Sequence, residues 1–294
     1  MDARDVHLRK GKMPVTIYLN ATDFLRDAQP YLEKQEAANN LMLSICLRLQ
    51  RYPERIKAAP YLATVHDEKG LIVATVMTPP PPHKLLLYAD QEECQEAARM
   101  VLHDLLDHGW TVPGVFGPTR VAEQFAAAWA AISGKSAKPG MFQRVYELRK
   151  VNHPQYSPGS MRVVTEADLP LITEWAYQFT LDCFGSADQA EAAELAQRRV
   201  GDRDVYLWED GQPVSMAAKA RPTVNGITVN LVYTPPQFRR RGYATSCVAR
   251  LSQSLLDSGW KFCTLFTDLA NPTSNDIYQK VGYTPVCDFN EYIF

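Results

Sequence analysis

The chain has no apolar run approaching the roughly 20 residues that a membrane-spanning helix needs. Its first residues, Met-Asp-Ala-Arg-Asp, lack the basic-then-apolar layout of a secretory leader, so a cytoplasmic protein with no membrane partner is expected. No Cys-x-x-Cys pair occurs among the six cysteines, at positions 46, 94, 183, 247, 263 and 287, which argues against a structural zinc and a disulfide framework. Neither sign of charge is in excess. A formal net charge of -2 creates no field that would gather polyanions, and nucleic acid is not an expected partner. No histidine follows His153, which excludes a histidine base from the C-terminal half.

What is present is an ordinary globular composition, 46% apolar and 22% charged, in 294 residues. That length exceeds what one hydrophobic core usually serves, so two domains are expected. The segment Val151-Asn-His-Pro-Gln-Tyr-Ser-Pro-Gly-Ser160 is rich in proline, glycine and polar residues, as a linker is. Residues 1–150 and 161–294 are therefore the expected domains, with 151–160 between them. One phrase occurs in both, Leu105-Leu-Asp-His-Gly-Trp110 and Leu255-Leu-Asp-Ser-Gly-Trp260, each closing an amphipathic stretch and leading into an extended one. An internal duplication accounts for it.

In the second half, Val205–Glu209 and Pro213–Ala220 flank Asp210-Gly211, a pair that favours a tight hairpin turn. Ile227–Tyr233 is rich in β-branched residues and predicts the next strand. Ala244, Cys247, Val248, Leu251 and Leu255 recur at helical spacing, so a helix is expected over 242–258. A buried strand over 261–267 and a helix over 274–281, ended by Gly282, complete the pattern. The fold class is α/β (α+β), each domain a mixed, mostly antiparallel sheet covered by helices.

Between the strand and the helix stands Tyr233-Thr-Pro-Pro-Gln-Phe-Arg239-Arg-Arg-Gly242-Tyr-Ala244-Thr-Ser. A helix N-terminus offers unpaired N–H groups and partial positive charge, a glycine there admits a phosphate to the backbone, and arginines reach phosphate oxygens. A surface turn rich in arginine has the same composition, so the loop alone leaves both readings open. The Gly-Lys-Ser/Thr ending of a P-loop is lacking.

Arg239-Arg240-Arg241-Gly242-Tyr243-Ala244 resembles the coenzyme-binding signature of the GNAT acetyltransferase superfamily: Gln or Arg, two residues, Gly, one residue, then Gly or Ala. About 30 residues later, Asn271-Pro-Thr-Ser-Asn275-Asp-Ile-Tyr278-Gln-Lys-Val-Gly282-Tyr283 is similar to a second conserved stretch of that superfamily. The resemblance covers roughly residues 160–294 and implies a tandem, two-domain form with a degenerate first copy. It also implies an acetyl-coenzyme A-dependent N-acetyltransferase acting on a primary amine by direct attack. Main-chain groups of Val232, Tyr233 and Thr234 would pair with the pantetheine arm. Amides of Arg240, Arg241, Gly242, Tyr243, Ala244 and Thr245 would cradle the diphosphate, with Arg239 supporting the loop or a phosphate. Asn271 and Asn275 would hold the coenzyme, and Tyr278 would be the general acid.

No base is assigned. Asp182, Glu174 and Glu209 are available, but each also reads as a surface charge, and water can carry the proton away. Cys247 reads as a core residue on the apolar helical face, Tyr278 alone as a core aromatic. Acetyl-coenzyme A is the expected cosubstrate and no metal is expected; His103, Asp107 and His108 read as surface residues of a helix. The expected partners are a small-molecule or peptide amine and a second copy of the chain in a homodimer. A non-catalytic acetyl-coenzyme A sensor or scaffold is the alternative, and the retained Tyr278 favours the enzyme. Aligned on the repeated phrase, Glu92 takes the place of Gly242 and Ala128 that of Tyr278, so the first half is not expected to bind the coenzyme in this manner. Pro79–Pro82 reads as a rigid loop.

Overall fold

The computed structural model describes residues 14–78, 83–91 and 93–294; Glu92 and Pro79–Pro82 lie outside them. The same order of ten elements runs twice along the chain: strand, two helices, three strands, helix, strand, helix, strand. The first pass is β1 (Val15–Ile17), α1 (Ala21–Leu32), α2 (Asn40–Arg51), β2 (Tyr61–Asp67), β3 (Gly70–Met77), β4 (Leu85–Ala89), α3 (Gln95–Asp107), β5 (Gly114–Pro118), α4 (Thr119–Ser133) and β6 (Lys138–Leu148). The second is β7 (Ser160–Val163), α5 (Leu169–Phe184), α6 (Gln189–Gly201), β8 (Val205–Glu209), β9 (Pro213–Ala220), β10 (Gly226–Tyr233), α7 (Tyr243–Asp257), β11 (Phe262–Asp268), α8 (Pro272–Val281) and β12 (Thr284–Ile293).

The repeated Leu-Leu-Asp-x-Gly-Trp phrase is a helix stop in both passes. Gly109 and Gly259 take left-handed φ values of 71° and 105°. The next amide then turns back on the helix: Trp110 N donates to Leu105 O at 2.9 Å, and Trp260 N to Leu255 O at 3.3 Å. Glycine is what a Schellman ending needs at that position, so the phrase repeats because the turn repeats.

The chain forms two compact units, neither continuous in sequence. The first holds residues up to Gln35, Ile45–Phe142 and Asp288–Phe294; the second holds Glu36–Ser44 and Gln143–Cys287. The boundary read from the sequence, at 151–160, follows chain order, whereas these units exchange segments. In the first unit the strand order is β1-β2-β3-β4-β5-β12, in the second β6-β11-β10-β9-β8-β7. Each sheet is thus closed by a strand from the other pass. Only β4 with β5, and β10 with β11, run parallel; the remaining pairs within each unit are antiparallel.

The first unit buries Leu85 and Leu87 against Val101, Leu102 and Leu105 of α3 and Phe125 of α4, and Phe294 stacks on Trp129 at 4.4 Å. Each such side chain contributes about 1.5–3 kcal/mol by leaving water. In the second unit α7 lays Cys247, Val248, Leu251 and Leu255 on one face of the sheet, over Ile227, Val229 and Leu265. A separate cluster joins Ile172 and Trp175 of α5 and Ala196 of α6 to Leu207, Leu231 and Tyr233. Among the described residues no helix is long and apolar enough to cross a membrane.

Candidate active site

The second unit is irregular at β10. Its parallel ladder with β11 runs only from Gly226↔Phe262 to Thr228↔Thr264. Beyond that, β11 continues on β6 and β10 on β9, and the register of β10 on β9 shifts between Asn230 and Tyr233. Leu231 accommodates the shift with φ of 51°, a left-handed conformation rare for a branched side chain. A bulge bends a strand and sharpens its twist. From Val229 onward β10 therefore parts from β11, leaving a strand edge on which an extended ligand can be laid by main-chain hydrogen bonds.

Val232, Tyr233 and Thr234 lie on that stretch. The Tyr233 carbonyl accepts from Ser215 Oγ at 3.1 Å and the Thr234 carbonyl from Arg239 Nε at 2.9 Å. Arg239 is further tied to Asp182 at 2.6 Å, with its guanidinium 5.8 Å from the centre of the Tyr233 ring. It is bound into the loop, and Asp182 is spent as its counter-ion.

Arg240 and Gly242 both take left-handed φ, 62° and 78°. Such alternation turns successive amides towards one side, the geometry of an anion-binding nest. Gly242 is the N-cap of α7 and no side chain caps the helix. Tyr243, Ala244 and Thr245 open the helix, and among the described residues nothing accepts from their amides. By contrast, Asp188 caps α6 and Asn271 caps α8. A Cβ on Gly242 would stand 2.7 Å from Ser157 Oγ, which itself donates to the Arg241 carbonyl at 2.7 Å. Arg240 and Arg241 are exposed beside this opening.

The two asparagines are occupied. Asn271 Oδ1 accepts from Ser274 N at 3.0 Å as the cap of α8. Asn275 donates to the carbonyls of Asp268 at 3.0 Å and Asn271 at 2.7 Å, and accepts from Tyr146 Oη at 3.1 Å. Their side chains build the turn between β11 and α8. Tyr146, on β6, was not singled out from the sequence, because nothing local ties it to a turn more than 120 residues away.

Tyr278 sits on α8 between the rings of Tyr146 and Tyr283, with centroids at 6.4 and 6.0 Å. Burial raises its phenol well above the ordinary value, so it is protonated at neutral pH. Its hydroxyl has no hydrogen-bond partner among the described residues, although Cys183, at the end of α5, is near enough to influence it. Of the other carboxylates considered, Glu209 pairs with Arg162 at 2.8 Å and Glu174 accepts from Gln178 at 2.9 Å. Cys247 is fully buried, and burial pushes its thiol up to about 12.

A family model described as FR47-like protein matches residues 210–293, which include the loop before α7 and the whole of α8. No curated protein matches the chain. Among solved structures, a Drosophila protein superposes with a TM-score of 0.66 at 10% identity, over 96% of this chain and 99% of its own. A GCN5-related N-acetyltransferase from Sphaerobacter thermophilus gives 0.62 at 13% identity, covering 96% of each chain. A GNAT-family acetyltransferase from Colwellia psychrerythraea gives 0.57 at 12% identity, over 96% of this chain and 99% of its own. The chain therefore has the fold of the GNAT acetyltransferases along nearly all of its length.

Proposed function

We propose that the chain is an N-acetyltransferase that takes acetyl-coenzyme A at the β10–α7 junction and delivers its acetyl group to a primary amine. The observation that carries this reading is the pairing, one loop apart, of a parted strand edge with an uncapped helix N-terminus entered through two left-handed residues. Either feature alone is a cost to the fold, and together they suit a ligand that is an amide-bearing arm ended by a diphosphate. The amides of Val232, Tyr233 and Thr234 would take the arm, and those from Arg240 to Thr245 the diphosphate. Arg239 braces the loop, and Asn271 and Asn275 shape the neighbouring turn.

The coenzyme would supply an activated thioester. The amine nitrogen attacks the thioester carbonyl, the C–N bond forming as C–S breaks. A strand N–H steadies the developing oxyanion, and Tyr278 donates its proton to the departing sulfur. Water takes the proton lost by the amine and returns one to Tyr278. A second reading, an acetyl-coenzyme A sensor or scaffold, needs the cradle but not the acid. The Tyr278 hydroxyl, protonated and bonded to no described residue, is open to donate to a ligand, which favours the enzyme. A panel of primary amines with acetyl-coenzyme A, read by release of free thiol, tests the choice. Amine-dependent release is expected. Binding of the coenzyme without such release would leave the sensor, and no binding would end both readings.

A further inference from the structure

The second unit contains a cation with no anion and with one buried guanidinium nitrogen. Arg221 follows the last residue of β9 with φ of 48°, and its carbonyl accepts from Asn40 Nδ2 at 3.1 Å. Asn40 Oδ1 in turn accepts from the Thr228 hydroxyl at 2.7 Å. The rest of the turn is clamped by Glu36, whose carboxylate accepts from Thr223 Oγ1 at 2.6 Å, Asn225 N and Nδ2 at 2.7 Å, and Gly226 N at 3.3 Å. With its backbone fixed at both ends, Arg221 lays its guanidinium over Phe266, 5.4 Å from the ring centre. Among the described residues no carboxylate pairs with it, and its Nε is buried without an acceptor. Burial first, then neighbouring Arg199, brings its pKa down to about 10. Arg199 offers no relief: its own Nε is buried and unmatched, while its Nη1 is used on Lys219 O at 3.1 Å and Asp204 at 3.5 Å.

A second orphan lies on β10, the strand paired with β9. Asn230 Oδ1 is buried with no donor. The register fixes the face on which both lie: Thr228 pairs with Thr264, and their hydroxyls are 3.2 Å apart. Two residues further along each strand, on the same face, are Asn230 and Phe266. The guanidinium over Phe266 is therefore on the face of the sheet that carries Asn230, which comes just before the bulge at Leu231 and the stretch given above to the pantetheine arm. A guanidinium with no anion and a buried, unmatched Nε is expensive to keep, as is a buried acceptor without a donor. A ligand bringing an anion and an N–H to this place would satisfy both.

We propose that Arg221 and Asn230 form the acceptor subsite, and that the acceptor is an amine bearing a carboxylate: the carboxylate pairs with Arg221 and an amine N–H donates to Asn230 Oδ1. The proposal rests on the acetyltransferase reading for the name acceptor, but the binding it asserts is separately measurable. The test is thermal denaturation of the full chain with the standard amino acids and their decarboxylated counterparts, such as glycine with methylamine, phenylalanine with phenethylamine and lysine with cadaverine. Acetyl-coenzyme A is titrated alongside. At least one amino acid should raise the Tm while its decarboxylated partner does not. Arg221→Met should weaken that amino acid at least about tenfold, leave acetyl-coenzyme A binding intact, and keep or raise the Tm of the free protein, because an unpaired charge has been removed. Asn230→Ala should weaken the amino acid less, and Arg221→Lys should retain part of the binding. The proposal fails if no amino acid binds, if decarboxylated amines bind as well, or if Arg221→Met binds unchanged; it also fails if that variant lowers the Tm, since Arg221 would then serve the fold. Amino-acid binding without coenzyme binding would sink the acetyltransferase reading and keep this site, whereas the converse would sink this site alone.

Discussion

The two passes of the chain reach the junction of their fourth strand and third helix with the same elements and finish them differently. β4 keeps one register on β3 from Val73↔Ala89 to Val76↔Leu86, and none of its residues has a positive φ. β10 breaks register after Asn230, at the cost of a left-handed leucine. Ahead of α3 two amides are satisfied from within: Cys94 N donates to Gln124 Oε1 at 2.9 Å, and Asp90 N to the Tyr31 hydroxyl at 2.8 Å, which donates to Ile72 O at 2.7 Å. Ahead of α7 the amides of Arg240, Arg241 and Gly242 have no such partners among the described residues. Where α8 carries Tyr278, alignment on the repeated phrase puts Ala128 of α4, which is buried. Groups left open along a strand or at a loop are the groups a ligand would need, so a copy that satisfies more of them internally gains stability by giving up the site.

The largest effect should come from Tyr278→Phe. Loss of a positioned acid lowers turnover by about a hundredfold or more, while acetyl-coenzyme A affinity, set elsewhere, should stay within a factor of a few. Steady-state kinetics beside equilibrium binding checks both, and an unchanged kcat would erase the difference between α8 and α4 as far as chemistry is concerned. Next comes Gly242→Val. A branched residue held left-handed costs about 1–2 kcal/mol or more, and its Cβ would also press on Ser157 Oγ at 2.7 Å. Coenzyme retention on an affinity column should fall at least about tenfold, whereas Cys94→Ala, at the matching helix start in the first unit, should leave it unchanged. A Cys94→Ala effect as large as that of Gly242→Val would break the comparison outright.

What the sequence made legible was local. The Asp210-Gly211 turn, with Gly211 at φ of 70°, separates β8 from β9 at the residues expected, and the apolar spacing of Cys247, Leu251 and Leu255 places α7 within a residue at each end. The loop before α7 was legible because a left-handed glycine at a helix start leaves a composition signal. Leu231 left none, since a bulge made by a leucine has no residue type of its own. Nor did Glu36 and Asn40, which bond to Asn225 and Thr228 across 189 and 188 residues of chain, or the exchange of β6 and β12 between units. Pairings at such separation are decided by tertiary packing, and no window of sequence contains both partners. For the same reason Asp182 read as a loose carboxylate, although it is the counter-ion of Arg239.

A smaller effect should follow from Glu36→Gln, which asks how far the second unit depends on a segment from the first pass. Burial alone would raise the Glu36 carboxyl, but donors from Thr223, Asn225 and Gly226 outweigh it and hold the group below its ordinary value of 4.5. A carboxyl lowered in the folded state adds stability that is present above the unfolded value and is lost as pH falls through the folded one. Wild-type stability should therefore drop on acidification below about 4.5, and Glu36→Gln should flatten that limb. At neutral pH the variant should lose about 1–3 kcal/mol, measured by urea unfolding. An unchanged acid limb would mean that the clamp contributes nothing through its charge.

The smallest effects separate the three arginines of the loop. Arg240 and Arg241 are exposed, so either one replaced by alanine should weaken acetyl-coenzyme A only a few-fold, by about 0.5–1 kcal/mol. Because such attraction is screened, with a Debye length of about 3 Å in 1 M salt, the difference from wild type should vanish at that ionic strength. Arg239→Ala should behave otherwise. Its guanidinium is already committed to Asp182 and the Thr234 carbonyl, so its removal frees the loop rather than subtracting a phosphate contact. The loss should persist at high salt and appear in a lower Tm of the free protein as well. If all three variants shared one salt dependence, Arg239 would be acting on phosphate, and the loop ahead of α7 would owe its shape to the left-handed residues alone.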